Sequence, residues 1–218
     1  VLARQPKNIQ RFLLLTSFFD SFDIAMCNEV LMPLLDGEDI VWSKLFVTVQ
    51  TKNLFSVPVD ESGRWMRYHH LFQHFLKSTL RYDEPVLAWH IQQNLARAYE
   101  KREAWEDALQ IYDHLDDHEN LIRLLSHTGT VFIRSGRILT LASWIERLPL
   151  ETIYSQPALL SLQGVVYVTK GDIAKAVEFL TLAEEKQRAS QDQTELVFTL
   201  MRRAEAYRRL GQFSYAFI

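Results

Sequence analysis

A template of four residues recurs along the C-terminal two-thirds of the chain and constrains its fold more than any other feature. The template has a small residue, an aromatic residue three positions later, a turn residue four positions after that, and a small or apolar residue a further five positions on. Its copies are Ala96/Tyr99/Glu103/Ala108, Gly129/Phe132/Gly136/Leu141, Gly164/Tyr167/Gly171/Ala176 and Ala204/Tyr207/Gly211/Ala216. The aromatic residues are 33, 35 and 40 positions apart, and this period is typical of helical solenoids rather than globular enzyme cores. The sequence therefore predicts stacked pairs of helices that present an open binding surface.

Each copy of the template predicts two antiparallel helices joined by a tight turn. We expect the small residues on the two helices to face each other, and the aromatic residue to fill the space between them. Gly136, Gly171 and Gly211 stand where the first helix must end, because glycine adopts the left-handed conformation without a Cβ clash. Glu103 departs from this rule. The spacings resemble the tetratricopeptide repeat over residues 85 to 218, with the last repeat cut off in its second helix.

Composition and charge exclude several classes of protein. Hydrophobic residues make up 48% of the 218 residues and charged residues 23%, as in ordinary globular proteins. The net charge of −3 gives no general attraction to nucleic acid or to anionic membranes. The longest apolar run, Phe12 to Phe19, is too short for a membrane span. We expect a cytoplasmic chain with no membrane partner and, from its start at Val1 and its end within a repeat, a piece of a longer protein.

The first third of the chain has a different pattern. Three helical segments, two short alternating segments around the turn Asp60–Gly63, and a further helical segment predict a winged helix. The predicted helices cover residues 8–19, 23–35, 39–53 and 69–82, and the strands cover 54–59 and 64–68. Asp23 and Asp39 are placed as N-caps, and Asp36-Gly37 as a helix stop. We therefore expect a mainly α protein, with a winged helix of three helices plus a β-hairpin in residues 1–83 and an α-α superhelix of tetratricopeptide-like repeats in residues 84–218.

The charges of the predicted winged helix oppose DNA binding. The segment from Asp36 to Glu61 spans the third helix and the tip of the hairpin, where acids outnumber bases. The acids are Asp36, Glu38, Asp39, Asp60 and Glu61, and the bases are Lys44 and Lys52. Because contacts to phosphate dominate the affinity for DNA, direct DNA binding by this part of the chain is disfavoured.

Three segments resemble one family of bacterial regulators. They are Phe12-Leu13-Leu14-Leu15-Thr16-Ser17, Asn53-Leu54-Phe55 and Trp65-Met66-Arg67-Tyr68-His69-His70-Leu71-Phe72. Together with the repeats, they are similar to the central part of the MalT-type, ATP-dependent activators of the LuxR family, which belong to the signal-transduction NTPases. The resemblance implies that a nucleotide-binding module precedes the winged helix, that the repeats act as a sensor, and that a C-terminal helix-turn-helix binds the DNA.

The resemblance also suggests a role for one histidine. In signal-transduction NTPases a histidine at the start of the corresponding helix contacts the β-phosphate of ADP, and His69 occupies that place, with His70 replacing an acid. A helix N-terminus favours an anion, and an imidazole can donate a hydrogen bond to it. The alternative is that His69 only caps the helix or packs against it. No G-x-x-x-x-G-K-[ST] phosphate loop occurs in the chain, so ATP or ADP is expected in the full-length protein and no cofactor in this piece.

Other reactive side chains give weaker signals. Cys27 is expected in the core rather than as a nucleophile. His70 with His74, and His114 with His118, could each supply two metal ligands, but no third ligand is evident and we expect no metal. The basic pairs Arg202-Arg203 and Arg208-Arg209 are expected on a solvated face or paired with Glu205 and neighbouring acids.

The geometry of helical repeats predicts which side chains line the concave side. They lie nine, six and two residues before each template aromatic and one after it. The residues selected as a groove for a ligand or partner are His90, Gln93, Arg97, Glu100, Arg123, Phe198, Met201, Glu205 and Arg208. The other groove positions, which include Ser126, Thr130, Ala158, Ser161 and Val165, carry small or apolar residues. Such a groove suits a peptide, a partner helix or a small inducer.

Two classes of function remain open at this stage. In the first, the chain is the winged-helix and sensor part of an ATP-dependent activator, which binds an inducer or regulatory protein and controls the neighbouring NTPase module. In the second, it is a stand-alone scaffold that binds proteins through its repeats. Neither the effector nor self-association follows from the sequence. An enzyme is the least supported class, because no nucleophile-base-acid set or metal cluster is evident.

Overall fold

The structure is mainly α-helical, in agreement with the sequence analysis. The computed structural model describes residues 2–35, 40–52, 54–190 and 193–212. The helices are α1 (Lys7–Leu15), α2 (Ile24–Leu31), α3 (Trp42–Thr51), α4 (His70–Asp83), α5 (Pro85–Lys101), α6 (Trp105–His114), α7 (His118–Arg134), α8 (Ile138–Ile145), α9 (Leu150–Ser155), α10 (Pro157–Lys170), α11 (Ile173–Ser190) and α12 (Gln193–Arg209). The strands are β1 (Ser56–Pro58) and β2 (Met66–Tyr68). None of the described helices is long and apolar enough to span a bilayer.

The order α1-α2-α3-β1-β2-α4 is that of a winged helix, as predicted. The predicted helix 8–19 is divided, because α1 ends at Leu15 and a 3-10 turn, Thr16–Phe18, follows it. The Thr16 hydroxyl donates to the Phe12 carbonyl, a bond that competes with the regular helix. Asp23 caps α2 as predicted, since its carboxylate accepts a hydrogen bond from the Met26 N–H at 2.8 Å. The predicted cap Asp39 and the predicted stop Asp36-Gly37 lie outside the described residues.

The β-hairpin is shorter than the sequence predicted. Strands β1 and β2 pair antiparallel, with Ser56 opposite Tyr68 and Pro58 opposite Met66. The first strand begins only at Ser56 because Phe55 has a φ of 53°, which takes its backbone out of the extended region. Phe22 exchanges two hydrogen bonds with Met66 and adds a single bridge to the outer side of the sheet.

Aromatic side chains dominate the core of the winged helix. The ring of Phe22 lies 5.3 Å from that of Tyr68 and 6.1 Å from those of Phe12 and Phe46, measured between centroids. Cys27 is fully buried beside them, as predicted for a core residue. Burial raises the pKa of its thiol, so it stays protonated and unreactive.

All four template copies end their first helix in the same way. Gly136, Gly171 and Gly211 have positive φ, as predicted, and Glu103 adopts the same conformation with a φ of 58°. In each copy the N–H of the next residue donates to the carbonyl of the template aromatic residue, with distances of 2.8 to 3.0 Å. This is the Schellman motif. Glu103 therefore departs from the template in residue type but not in backbone conformation.

Two template glycines allow close helix contact, although not always between the predicted partners. A Cβ at Gly164 would lie 2.5 Å from the side chain of Leu180 on α11, the second helix of its own pair. A Cβ at Gly129 would lie 2.3 Å from the side chain of Leu162 on α10, which belongs to the next pair. We expected small residues to face each other, and both glycines instead face leucines. The larger partner fills the space that the glycine leaves.

The contacts of the chain form two compact units, Val1–Asp117 and His118–Ile218, which we call the N-terminal and C-terminal units. The first helical pair, α5 and α6, belongs to the N-terminal unit and packs on the winged helix. The Asn94 amide donates to the Val30 carbonyl at 3.0 Å, and Arg102 forms an ion pair of 2.6 Å with Glu29. The domain boundary predicted at residues 83 and 84 stays a prediction, because compactness by itself does not define domains.

Candidate functional site

The segment that begins α4 presents three exposed side chains between two buried ones. Tyr68 and Phe72 are buried, and the Tyr68 hydroxyl lies 2.6 Å from the Thr16 hydroxyl inside the core. Burial raises the pKa of Tyr68, which keeps this hydroxyl neutral. His69, His70 and Leu71 between them face solvent. The core therefore fixes both ends of a short segment whose middle is free to contact another molecule.

His69 occupies the N-cap position of α4. Its side chain forms no capping hydrogen bond, so the prediction that it caps the helix is not supported by the geometry. Its N–H donates to the Phe55 carbonyl at 2.8 Å, and its ring lies 4.6 Å from that of His70. The N-cap side chain therefore supplies no acceptor to the first N–H groups of α4, a condition that suits an external anion.

Apolar side chains surround the exposed histidines. Leu71 is 68% exposed, and Phe75, one turn further along α4, is 51% exposed. Phe55 is half exposed, and its ring lies 5.0 Å from that of the buried Phe72. Phe55 also has left-handed backbone, which is unfavourable for a bulky residue. We call the surface of Phe55, His69, His70, Leu71 and Phe75 the α4 face.

The predicted groove residues of the N-terminal unit fall into two groups. His90 and Arg97 are exposed on α5, and Trp89 beside His90 is 44% exposed. Gln93 is buried and its amide donates to the carboxylate of Asp117, while the half-buried Glu100 accepts a hydrogen bond from the Tyr112 hydroxyl at 2.6 Å. Gln93 was therefore wrongly predicted as a ligand contact, because its side chain points into the packing between helices.

The predicted groove residues of the C-terminal unit are more accessible. Met201 and Arg208 are exposed on α12, and Arg123 is exposed on α7. Hydrogen bonds from Arg208 and then Arg209 lower the pKa of Glu205 to about 2. This pairing was predicted, and it brings both arginines into contact with one carboxylate of the protein itself. An open cavity of about 520 Å³ lies between α7, α10 and α12. Its walls include Glu119, Arg123, Ser126, His127, Ala158 and Glu195.

The sequence analysis placed Arg202 on a solvated face or in pairs with neighbouring acids, whereas the structure gives it hydroxyl partners on other helices. Its side chain crosses from α12 to two other helices and donates hydrogen bonds of 2.8 Å to the hydroxyls of Ser161 and Thr130. Ser161 and Thr130 are hydroxyl residues at predicted groove positions. Two hydroxyls on the same face of neighbouring helices were a sequence signal that a polar side chain lies between them. The adjacent Arg203 pairs with the carboxylate of Glu184, as expected for a basic residue beside acids.

A polar cavity in the N-terminal unit was not predicted at all. It measures about 310 Å³ and is lined by side chains from α4, α5 and α6, including Lys77, Arg81, Gln92 and Tyr99. Burial lowers the pKa of Lys77 and raises that of Tyr99 to about 12. Arg81 contacts Gln92 at 3.0 Å and His114 at 2.6 Å. These groups lie far apart in sequence, so only the folded chain brings them together.

The predicted histidine pairs do not form a metal centre in the part of the chain that the structure describes. His70 and His74 are both exposed on α4, and His114 contacts Arg81 instead of a second ligand. No group of three or more His, Cys, Asp or Glu side chains comes together among the described residues.

Comparison with known proteins finds similarity to one kind of transcriptional regulator. Residues 1–88 match the model of the MalT winged helix domain. HTH-type transcriptional regulator MalT of Vibrio campbellii is 24% identical over 179 residues, which cover 82% of this chain and 19% of that protein. The corresponding regulator of Vibrio cholerae is 28% identical over 153 residues, 70% of this chain and 16% of that protein. That of Cronobacter sakazakii is 25% identical over 200 residues, 89% of this chain and 21% of that protein. The chain thus spans about a fifth of the length of the relatives it matches.

Proposed function

We propose, from the chain's relationship to the MalT-type transcriptional regulators, that it is a non-catalytic regulatory part of an ATP-dependent LuxR-type activator. Its winged helix would contact a neighbouring NTPase module, and its helical repeats would bind an effector or a regulatory protein. DNA would be bound by a separate C-terminal domain. In this proposal the protein works in the cytoplasm, where its target DNA and nucleotide are found.

The α4 face is the observation that most supports this proposal. Its histidines and apolar side chains are exposed although Tyr68 and Phe72 on either side of them are buried in the core. Exposed aromatic and apolar side chains that form one patch are typical of surfaces that contact another protein. The uncapped N-terminus of α4 adds a place that favours negative charge.

The residues of the α4 face fit a nucleotide phosphate supplied by a neighbouring module. When bound, ADP would supply the negative charge of its β-phosphate. His69 would donate an imidazole hydrogen bond to that charge, and the first N–H groups of α4 would face it. Leu71 and Phe75 would pack against the module itself and exclude water. Release of the nucleotide would then be linked to movement of the winged helix, to which the first helical pair is attached by Arg102 and Asn94.

The proposal is tested by the effect of His69→Ala on nucleotide binding in the full-length protein. We expect ADP to dissociate at least about tenfold faster, because one charge-assisted hydrogen bond contributes about 1.5–3 kcal/mol. The measurement is the dissociation rate of a fluorescent ADP analogue in stopped flow.

The matched control is His74→Ala. His74 is exposed on the same helix one turn later, and its loss should leave the dissociation rate unchanged. An unchanged rate for His69→Ala, with both variants folded, would reject the contact between α4 and the nucleotide.

A further inference from the structure

The concave face of the C-terminal unit contains a basic side chain that is largely enclosed. Arg202 extends from α12 across Ser161 on α10 to Thr130 on α7, so it bridges the first helices of three successive pairs. Thr199, one turn earlier on α12, also donates to the Ser161 hydroxyl at 2.8 Å. Arg202 still keeps part of its surface in contact with solvent. A ligand in the groove can therefore reach it.

The charge of Arg202 is not neutralised by its partners. A guanidinium has five N–H donors, and the two bonds to Ser161 and Thr130 occupy only two of them. Both partners are neutral hydroxyls, and among the described residues no carboxylate forms an ion pair with Arg202. Burial lowers the pKa of Arg202, and the negative charge of Glu195 opposes this effect only in part. Buried charges in proteins are normally in direct contact with an opposite charge, whereas the hydrogen bonds of Arg202 are to hydroxyls and Glu195 acts on it without an ion pair.

The surroundings of Arg202 are shaped like a binding site. The guanidinium of Arg202 and that of Arg134 each lie 5.9 Å from the centroid of the Phe198 ring. The cavity of about 520 Å³ opens one turn away, since Ser126 and Ala158 in its walls precede Thr130 and Ser161 by four and three residues on the same helices. A ligand in the cavity can thus extend along α10 to the guanidinium.

We propose that this groove binds a ligand through a carboxylate group, which pairs with the unused N–H donors of Arg202 while the ligand's body lies in the adjacent cavity. A planar carboxylate matches the fork of a guanidinium better than other anions do. The ligand would be either an organic acid or an acidic segment of a regulatory protein, which share this chemistry. If the repeats bind an effector as proposed above, that effector would carry a carboxylate. The regulatory consequence of binding rests on the proposed function, whereas the binding itself does not.

The test uses the 218-residue chain, with succinate as the probe and the neutral succinamide as its matched compound. At constant ionic strength, we expect succinate to raise the Tm and to shift the NMR signal of the Arg202 side-chain N–H, and succinamide to do neither. Arg202→Gln should weaken succinate binding at least about tenfold, since charge-assisted hydrogen bonds are lost. Arg209→Gln, on the same helix but bound to Glu205, should bind succinate as the unmodified chain does.

Several results would overturn the carboxylate site. These are equal effects of succinate and succinamide, undiminished binding by Arg202→Gln, or equal loss of binding in Arg209→Gln. If Arg202→Gln fails to fold, Thr130→Val is measured instead. This variant keeps the charge of Arg202, so it should still bind succinate. Loss of binding in that folded variant would reject the proposal.

A second arm separates the two sources of the carboxylate. A triglutamate peptide is compared with the same peptide in which every carboxylate is converted to an amide. Tighter binding of the acidic peptide than of succinate indicates a protein partner, and the reverse indicates a small organic acid. The outcome is independent of the ADP experiment, since an unchanged ADP dissociation rate would reject the coupling to nucleotide and leave the carboxylate site intact.

Discussion

The helical pair of the N-terminal unit and the helices of the C-terminal unit share one template. They differ in the hydrogen-bond partners of the polar side chains on their groove sides. In the N-terminal unit, Gln93 and Glu100 at groove positions are occupied by hydrogen bonds from or to Asp117 and Tyr112. In the C-terminal unit, Arg202 crosses the groove and its hydrogen bonds are to the hydroxyls of Ser161 and Thr130. The template therefore determines the backbone, whereas binding capacity depends on whether groove side chains have partners within the protein.

The first and third template copies also differ at the small position, which is Ala96 in one and Gly164 in the other, and the largest predicted effect tests this difference. Helix propensity alone would make Gly164→Ala stabilising by about 1 kcal/mol. The new Cβ would however lie 2.5 Å from the Leu180 side chain, and overpacking of this kind costs about 1–3 kcal/mol. We expect a net loss of up to about 2 kcal/mol in the free energy of unfolding, measured with urea.

The control for this prediction lies in the N-terminal unit. Ala96 is the equivalent residue and is fully buried, so its helix pair already accommodates a Cβ. Ala96→Gly should cost about 1 kcal/mol through helix propensity. If Gly164→Ala stabilised the chain instead, the first and third helical pairs would not differ in how closely their helices approach.

The turn position gives a smaller effect of opposite sign. Glu103 has a φ of 58°, and the left-handed conformation costs a residue with a side chain about 1 kcal/mol relative to glycine. Glu103→Gly should therefore stabilise the N-terminal unit by about 1 kcal/mol, measured by thermal unfolding.

The reverse change in the C-terminal unit completes this comparison. Gly171→Glu should destabilise by a similar amount, because a Cβ there meets no atom within 4 Å and only the backbone cost remains. A destabilising Glu103→Gly would show that the Glu103 side chain contributes more than its backbone costs.

The smallest effect concerns the surface charge cluster of α12. The pKa of Glu205 is depressed to about 2 from its ordinary value of 4.5 by Arg208 and Arg209. A depressed carboxyl pKa stabilises the folded state above pH 4.5, and this contribution is lost as the pH falls through about 2. Because these side chains are exposed, we expect a contribution below about 0.5 kcal/mol.

An NMR titration of Glu205 tests the strength of this cluster. High salt should move the pKa back towards 4.5, since screening weakens exposed ion pairs. An ordinary pKa at low salt would mean that Glu205 does not hold Arg208 and Arg209. These arginines could then bind a ligand as readily as Arg202, and the difference between paired and unpaired arginines would disappear.

The template allowed much of the helical architecture to be predicted from the sequence. Gly136, Gly171 and Gly211 mark helix ends because their conformation is a local property of the backbone. The winged helix could be predicted for the same reason, since Asp23 and the turn after Val59 are local signals. Strand ends were less predictable, because the left-handed backbone of Phe55 depends on the packing around it.

The residues of a candidate site could be predicted only where their exposure follows from their place in the secondary structure. His69 was placed correctly at the start of α4, and its exposure is consistent with its position in the sequence. Gln93 was misplaced because a repeat rule gives the direction of a side chain but not its partner. The partners of Arg202 were missed because a run of basic residues indicates charge but not the residues that it contacts. The polar cavity around Lys77 and Arg81 combines helices that are neighbours only after folding.

The Schellman turns also have a consequence for the order of folding. Each turn joins two helices through very few residues, so the contacts of a helical pair are close in sequence and its loop closes quickly. The core of the winged helix depends on contacts such as Thr16 with Tyr68, which are 52 residues apart. Because closing such a loop costs more entropy, we expect the helical pairs to form first and the segment that presents His69 to reach its final position last.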